Sequence, residues 1–204
     1  MTSLPLFAVL LLAVAAPFAV AKPYENFDTW CGGGADNLTS TDENWESGCA
    51  PDVTADDLLA VFATGGSVAE LPAGTAAAFA GVVLDGANLG GNHFEFTAGS
   101  GATVRFGACA LTAVDAPSAI TWKMGWPITL GDSAQTWTIG RNNTVEFNAT
   151  IGGEQDLVFA GSGTAKLKMG SARSGTLKVT SGTLWLDASW ANCTNVVVAG
   201  GSSR

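Results

Sequence analysis

Residues 174–190, SGTLKVTSGTLWLDASW, hold nearly the same phrase twice. Ser174-Gly175-Thr176-Leu177-Lys178-Val179-Thr180 is followed at once by Ser181-Gly182-Thr183-Leu184-Trp185-Leu186-Asp187. Each copy is a glycine corner followed by a very short stretch of alternating apolar and polar side chains. That is the pattern of a strand with one face buried. The same grammar runs on from about Leu59 through LAVF, GVVLDG, HFEF, ATVRFG, AITW, QTWTIG, TVEF, DLVFAG, AKLKMG, GTLKV, GTLWL and NVVVAGG. Beyond the N-terminal apolar run, no segment shows helical periodicity.

The alternation assigns faces. In Phe94-Glu95-Phe96, Val104-Arg105-Phe106 and Val145-Glu146-Phe147 a charge sits between two apolar residues. Successive strand side chains point to opposite faces, so the apolar pair turns inward and the charge outward. The same rule turns Leu167, Met169, Leu177, Val179, Leu184 and Leu186 inward. It leaves Lys166, Lys168, Lys178 and Trp185 outward, with Arg105 and Glu146 largely exposed.

A sandwich would join its strands by hairpin turns, of which Asn-Gly and Asp-Gly are the strongest signals. Here Asp85-Gly86 is the one such dipeptide. Short strands with glycine corners instead predict a coil of two or three strands per turn, about 20 to 25 residues long, stacked as a solenoid. Twenty-six glycines and a charged fraction of 13% suit such a chain, while 47% apolar residues suffice for a core. The net charge of −9 excludes nucleic acid as a partner, since its phosphates require clustered Lys and Arg.

Leu4–Ala21 is a continuous apolar run ending in Ala19-Val20-Ala21, the small-x-small arrangement that signal peptidase accepts. Residues 1–21 are therefore expected to be a signal peptide and the rest to be exported, secreted or held at the cell surface. Uncleaved, the run would serve as a membrane anchor. Residues 22–58 form an acidic N-terminal cap, with nine of the 18 acidic residues between Glu25 and Asp57. Residues 59–204 form the solenoid region, expected to be truncated or incomplete at its C-terminus.

Export makes disulfides permissible, and Cys31, Cys49, Cys109 and Cys193 contain no C-x-x-C pair that would indicate zinc. Four cysteines allow three pairings. Cys31–Cys49 is the expected one, closing a short polar loop for about 3 kcal/mol in the chain-entropy picture. Cys109–Cys193 would follow from it.

The segment LVFAGSGTAKLKMGSARSGTLKVTSGTLWLDASWANCTNVVVAGG resembles the passenger-associated strand repeat of bacterial autotransporter-like surface proteins. The matching residues are Gly161-Ser162-Gly163-Thr164 with Leu167, Gly175-Thr176-Leu177, Gly182-Thr183-Leu184, and Val196-Val197-Val198-Ala199-Gly200-Gly201. Trp30, Asn44-Trp45, Gly48, Pro51, Asp57 and Phe62 are similar to the lead that often precedes such repeats. The resemblance implies an all-β, right-handed parallel β-helix, displayed or secreted as a structural or adhesive surface, and brings no catalytic residues with it.

Several residues are candidates for sites. Asp36, Asp42, Glu43, Glu46, Asp52, Asp56 and Asp57 offer oxygens for Ca²⁺ but lack the D-x-D-x-D-G loop spacing, so a solvated cap over the open end is expected and no cofactor. His93, the single histidine, has no nucleophile in recognisable order and should face outward beside Glu95. Glu146, Asp132, Asp156 and Asp187 are the carboxylates a glycoside hydrolase would need, and Arg105, Lys123 and Arg141 the bases a polysaccharide lyase would need. Trp122, Trp126 and Trp137 suit core or corner positions. Trp185, outward beside Lys178, is the candidate ligand-stacking pair, with surface glycans or other extracellular matrix as the partner class. The sequence thus predicts a non-enzymatic, exported adhesive solenoid. A small carbohydrate-active β-helix enzyme or a carbohydrate-binding module is the alternative.

Overall fold

The computed structural model describes residues 26–53, 57–63, 66–170, 173–187 and 196–199, and the backbone at 202–203. The apolar leader, Asp56, Cys193 and the Gly200-Gly201 pair lie outside these residues.

The chain forms β1 (Phe27–Trp30), β2 (Leu59–Phe62), β3 (Val68–Leu71), β4 (Ala76–Leu84), β5 (His93–Ala98), β6 (Thr103–Ala113), β7 (Ile120–Met124), β8 (Ile128–Leu130) and β9 (Gln135–Ile139). It continues through β10 (Asn143–Phe147), β11 (Ile151–Gly152), β12 (Leu157–Gly161), β13 (Thr164–Leu167), β14 (Leu177–Val179), β15 (Thr183–Leu186), β16 (Val196–Val198) and β17 (Ser202–Ser203). One sheet runs β1-β2-β4-β6-β9-β12-β14-β16, with β8 and β11 alongside. The other runs β3-β5-β7-β10-β13-β15-β17. Every strand ladder is parallel, and each strand pairs with the one a full turn away. The result is the expected all-β parallel solenoid, of about six turns.

From Leu84 onward the turns narrow along the coil, whereas the turn before it, from Phe62 to Leu84, takes 22 residues. Register partners are 29 residues apart at Leu84 and Ala113, 26 at Ala113 and Ile139, and 22 at Ile139 and Gly161. They are 20 apart at Phe159 and Val179 and 19 at Val179 and Val198. Side-chain bulk follows this taper. The wide turns enclose Phe62, Phe79, Phe94, Phe96, Phe106, Trp122, Trp126 and Trp137, all fully buried. The narrow ones hold Leu167, Leu177, Val179 and Leu184. Most aromatic rings meet edge-on or tilted, with Phe96 4.8 Å from both Phe62 and Trp126, while Phe79–Trp126 and Trp137–Phe147 stack, arrangements that ring quadrupoles favour when edge-on or offset. Each of three buried indoles finds an acceptor for its N–H: Trp122 on Asn143 Oδ1 at 2.8 Å, Trp126 on the Thr97 carbonyl at 2.8 Å, and Trp137 on Gln135 Oε1 at 2.9 Å. These three tryptophans are core residues.

The corner in the repeated phrase has a backbone cause. Gly182 sits at φ +78°, where a side chain would be strained, and a Cβ there would lie 2.8 Å from the Gly163 carbonyl of the preceding turn.

Face assignment holds for Val104, Phe106, Val145, Phe147, Leu167, Leu177 and Leu184, all buried. Three expectations need correction. Arg105 faces outward but is half-buried, with 33% of its side chain exposed beside Asp132. Met169 is exposed rather than inward, because β13 ends at Leu167 and the alternation ends with it. Glu146 faces outward, yet its side chain is only 13% exposed, because Lys166 and Lys168 close over it.

Residues 31–47 cover the first edge of both sheets. Trp45 bridges Trp30 antiparallel and Leu38 bridges Glu70 in β3, which satisfies backbone groups that an open edge would leave bare. The coil itself begins with β1, inside the segment read as a cap. The expected Cys31–Cys49 bond is absent: Cys31, Cys49 and Cys109 are free thiols. The antiparallel bridge explains it. Cys31 lies across from Asn44, whose carbonyl accepts its N–H at 2.8 Å, whereas the chain from Trp45 onward runs back along β1 toward Phe27. Cys49 thus reaches the far end of the pair, and the Cys31 Sγ donates instead to the Glu43 carbonyl at 3.3 Å.

Candidate functional site

The outward face of the β3–β17 sheet brings together four of the side chains singled out in the sequence, His93, Lys123, Glu146 and Trp185. Strand register places Glu95, Lys123, Glu146, Lys166 and Trp185 in one row, each opposite the next on consecutive turns. Beside it, two residues earlier on each strand, run His93, Thr121, Thr144, Thr164 and Thr183. Both rows follow from period-2 alternation plus parallel in-register stacking, which repeats a position every turn at about 4.8 Å.

The charged row alternates in sign over its first four members. Glu146 accepts from Lys166 Nζ at 3.1 Å and from Lys168 Nζ at 2.7 Å. The Lys168 hydrogen bond holds its carboxyl below the ordinary glutamate value, with Lys166 adding to the effect and partial burial opposing it. A glycosidase general acid needs the opposite shift.

The other carboxylates are engaged separately. Asp132 accepts from Arg105 at 2.8 Å and is almost fully exposed. Asp156 Oδ1 accepts the Thr176 N–H at 2.8 Å, a corner cap. Asp187 is exposed at the end of β15, and its backbone N–H donates to the Leu167 carbonyl. Exposed His93 lies against Asn92, with 3.4 Å between Nδ1 and Oδ1. Arg141, also exposed, uses its backbone N–H on Asp115.

Trp185 and Lys178 do not form a pair. Lys178 belongs to β14, in the other sheet, between Val158 and Val197. Trp185 belongs to β15, and its basic neighbour in register is Lys166. Seven residues separate the two in sequence, and the corner at Gly182 puts them on different sheets. Trp185 is 38% exposed.

The acidic cap uses its carboxylates as turn acceptors. Asp36 Oδ1 takes the Thr41 hydroxyl at 2.7 Å, the Leu38 N–H at 3.0 Å and the Asn44 amide at 3.3 Å. The Thr41 hydroxyl, then the Leu38 N–H, holds the Asp36 carboxyl below its usual value. Asp42 accepts the Ala50 N–H, and Asp28 accepts from Ser47. Among the described residues no three His, Cys, Asp or Glu side chains gather as metal ligands. A cavity of about 420 Å³ at this end is lined in part by Phe27, Asp28, Ser47, Cys49, Asp52 and Asp57.

The threonine row was not singled out from the sequence, although its signal is there. Thr121-Trp-Lys123, Thr144-Val-Glu146, Thr164-Ala-Lys166 and Thr183-Leu-Trp185 share one spacing within each strand. Among the described residues, the hydroxyls of Thr121, Thr144 and Thr164 make no hydrogen bond within the protein. The other sheet presents a different outer row, Thr29, Val61, Val83, Thr112, Thr138 and Ala160, with no charge in it. Comparison with protein-family models, with curated proteins and with solved structures gives no match to this chain.

Proposed function

We propose that the chain is an exported structural and adhesive solenoid, acting in the extracellular space or on the cell surface, and that it is not an enzyme. One observation carries this reading. The outward face of the β3–β17 sheet is a regular array repeated turn by turn, in which Glu146, the carboxylate at its centre, is held by Lys166 and Lys168 of the next turn. Groups engaged in this way hold register and present a surface. The apolar leader ending in Ala19-Val20-Ala21 supports export. The coil is proposed to be right-handed, the sense that parallel strands take when a connection returns to the same sheet.

The test is fractionation of bacteria expressing the full chain with a C-terminal tag. Cleavage after Ala21, with the mature chain in the medium or open to protease on intact cells, is the expected result. Retention of the uncleaved chain in the cytosol overturns export. Incubation with pectin, alginate, xylan and chitin fragments should release no products; cleavage that survives in no Glu146→Gln, Asp156→Asn, His93→Gln triple variant overturns the non-enzymatic part.

A further inference from the structure

Resting on the adhesive reading above, we propose that the threonine row, ending beside Trp185, is a binding track for a neutral, extended polysaccharide laid along the solenoid axis. Thr121, Thr144, Thr164 and Thr183 occupy one position on four consecutive turns. Their repeat is about 4.8 Å, close to the length of one pyranose unit in an extended β-linked chain. A polymer aligned with the axis therefore meets one hydroxyl per sugar. The hydroxyls of Thr121, Thr144 and Thr164, with no partner inside the protein among the described residues, are available both to donate and to accept.

Trp185 supplies the other element. It lies two residues beyond Thr183 on the same face of β15 and exposes over a third of its surface, enough for a sugar ring to stack on it. The charged row decides the class of polymer. Lys166 and Lys168 are committed to Glu146, and Lys123 stands in register between Glu95 and Glu146. With the net charge at −9 as well, a polyanion meets Glu95 and Glu146 interleaved with these lysines rather than a continuous cationic track. Hydroxyl-rich, uncharged chains meet no such opposition.

The experiment is depletion of the full chain from solution by insoluble cellulose, chitin and β-1,3-glucan, with affinity electrophoresis in soluble xylan and mannan. At least one neutral polymer should bind. Trp185→Ala should weaken that binding about tenfold and Trp185→Phe much less, since a stacking face remains. Thr144→Val with Thr164→Val, which keeps shape and removes two hydroxyls, should weaken it about tenfold as well, at an unchanged melting temperature. Thr138→Val, on the other sheet, should have no effect. Binding to none of the neutral polymers overturns the proposal, as does binding that the Trp185 and Thr144/Thr164 variants leave intact. Salt-sensitive binding to alginate or heparin alone overturns it in favour of a polyanion. The outcome is independent of the fractionation test, so an exported chain that binds no glycan loses the track and keeps the export reading.

Discussion

The carboxylate of Glu146 and the ammonium of Lys168 meet at 2.7 Å across one turn of the coil, and Lys166 reaches the same carboxylate at 3.1 Å. An outward strand position has thereby become mostly covered, which alters what its substitution should cost. As a simple surface group, Glu146 would tolerate replacement within about 0.5 kcal/mol. With two partners that are themselves 34% and 39% exposed, solvent screening still limits the loss, and Glu146→Gln should cost about 1 kcal/mol. The folded carboxyl titrates below the ordinary glutamate value, so its contribution is full above that ordinary value and fades as pH falls through the folded one. Urea midpoints for parent and variant should differ at pH 7 and converge in acid. A constant difference down to pH 3 would show that the ion pair is not its source.

Thiol chemistry separates the cysteine arrangement seen here from the one expected. Exposed Cys49 should react with iodoacetamide in the native protein, ahead of the half-buried Cys31 and Cys109. The double substitution Cys31→Ser, Cys49→Ser should shift stability by less than about 1 kcal/mol, against about 3 kcal/mol if a bond closed that loop. Peptide mapping without reductant reads the same question; a linked Cys31–Cys49 peptide would refute the free thiols.

Legibility in the sequence followed locality. Strand identity and facing depend on adjacent residues, so Val104-Arg105-Phe106 and Val145-Glu146-Phe147 could be read directly, and the coil followed from the brevity of strands with glycine corners. Relations between turns depend on how many residues each turn consumes, and that number varies, from 22 at Phe62–Leu84 to 29 at Leu84–Ala113 and down to 19 at Val179–Val198. No fixed period therefore links Thr121, Thr144, Thr164 and Thr183, and the row becomes visible only once register is known. The same cause separated Trp185 from Lys178. Alternation placed both outward, but the corner between them, not the strand, decides which sheet each one joins. Met169 misled for the opposite reason, since it continued an alternating pattern two residues beyond the end of its strand.

Two glycines distinguish backbone strain from close approach. Gly48 has φ +70° with open space around it, and Gly161 has φ +100° with the Ile139 carbonyl where a Cβ would go. Gly48→Ala should cost about 1 kcal/mol, the left-handed penalty alone. Gly161→Ala must also push β12 off β9, and should cost more than about 2 kcal/mol. Equal losses in chemical denaturation would mean that the turns can slide apart without penalty at this corner.

The taper predicts where the coil opens first. In a stacked array, stability is approximately the sum of each turn's own terms and its contacts with its neighbours, so it should track the apolar area each turn buries. Trp137 is fully buried, stacks on Phe147 at 5.1 Å, meets Phe159 edge-on at 5.7 Å and hydrogen-bonds Gln135. The later turns have no ring of that size in register: Phe159 is followed by Val179 and then by Val198, which is 43% exposed. Trp137→Ala should cost about 3–5 kcal/mol and leave Gln135 Oε1 without its donor. Leu184→Ala, nearer the narrow end, should fall in the lower part of the 2–5 kcal/mol range typical of such truncations, because it removes a smaller side chain and no hydrogen bond. Native-state hydrogen exchange should then show a gradient, with slow amides in β7, β9 and β10 and faster exchange in β14 and β15. Trp137→Ala should speed exchange in the wide turns and reverse or flatten that gradient. Uniform protection from β5 to β15 in the parent would mean that the coil opens as a single unit, and that the aromatic turns do not set its stability.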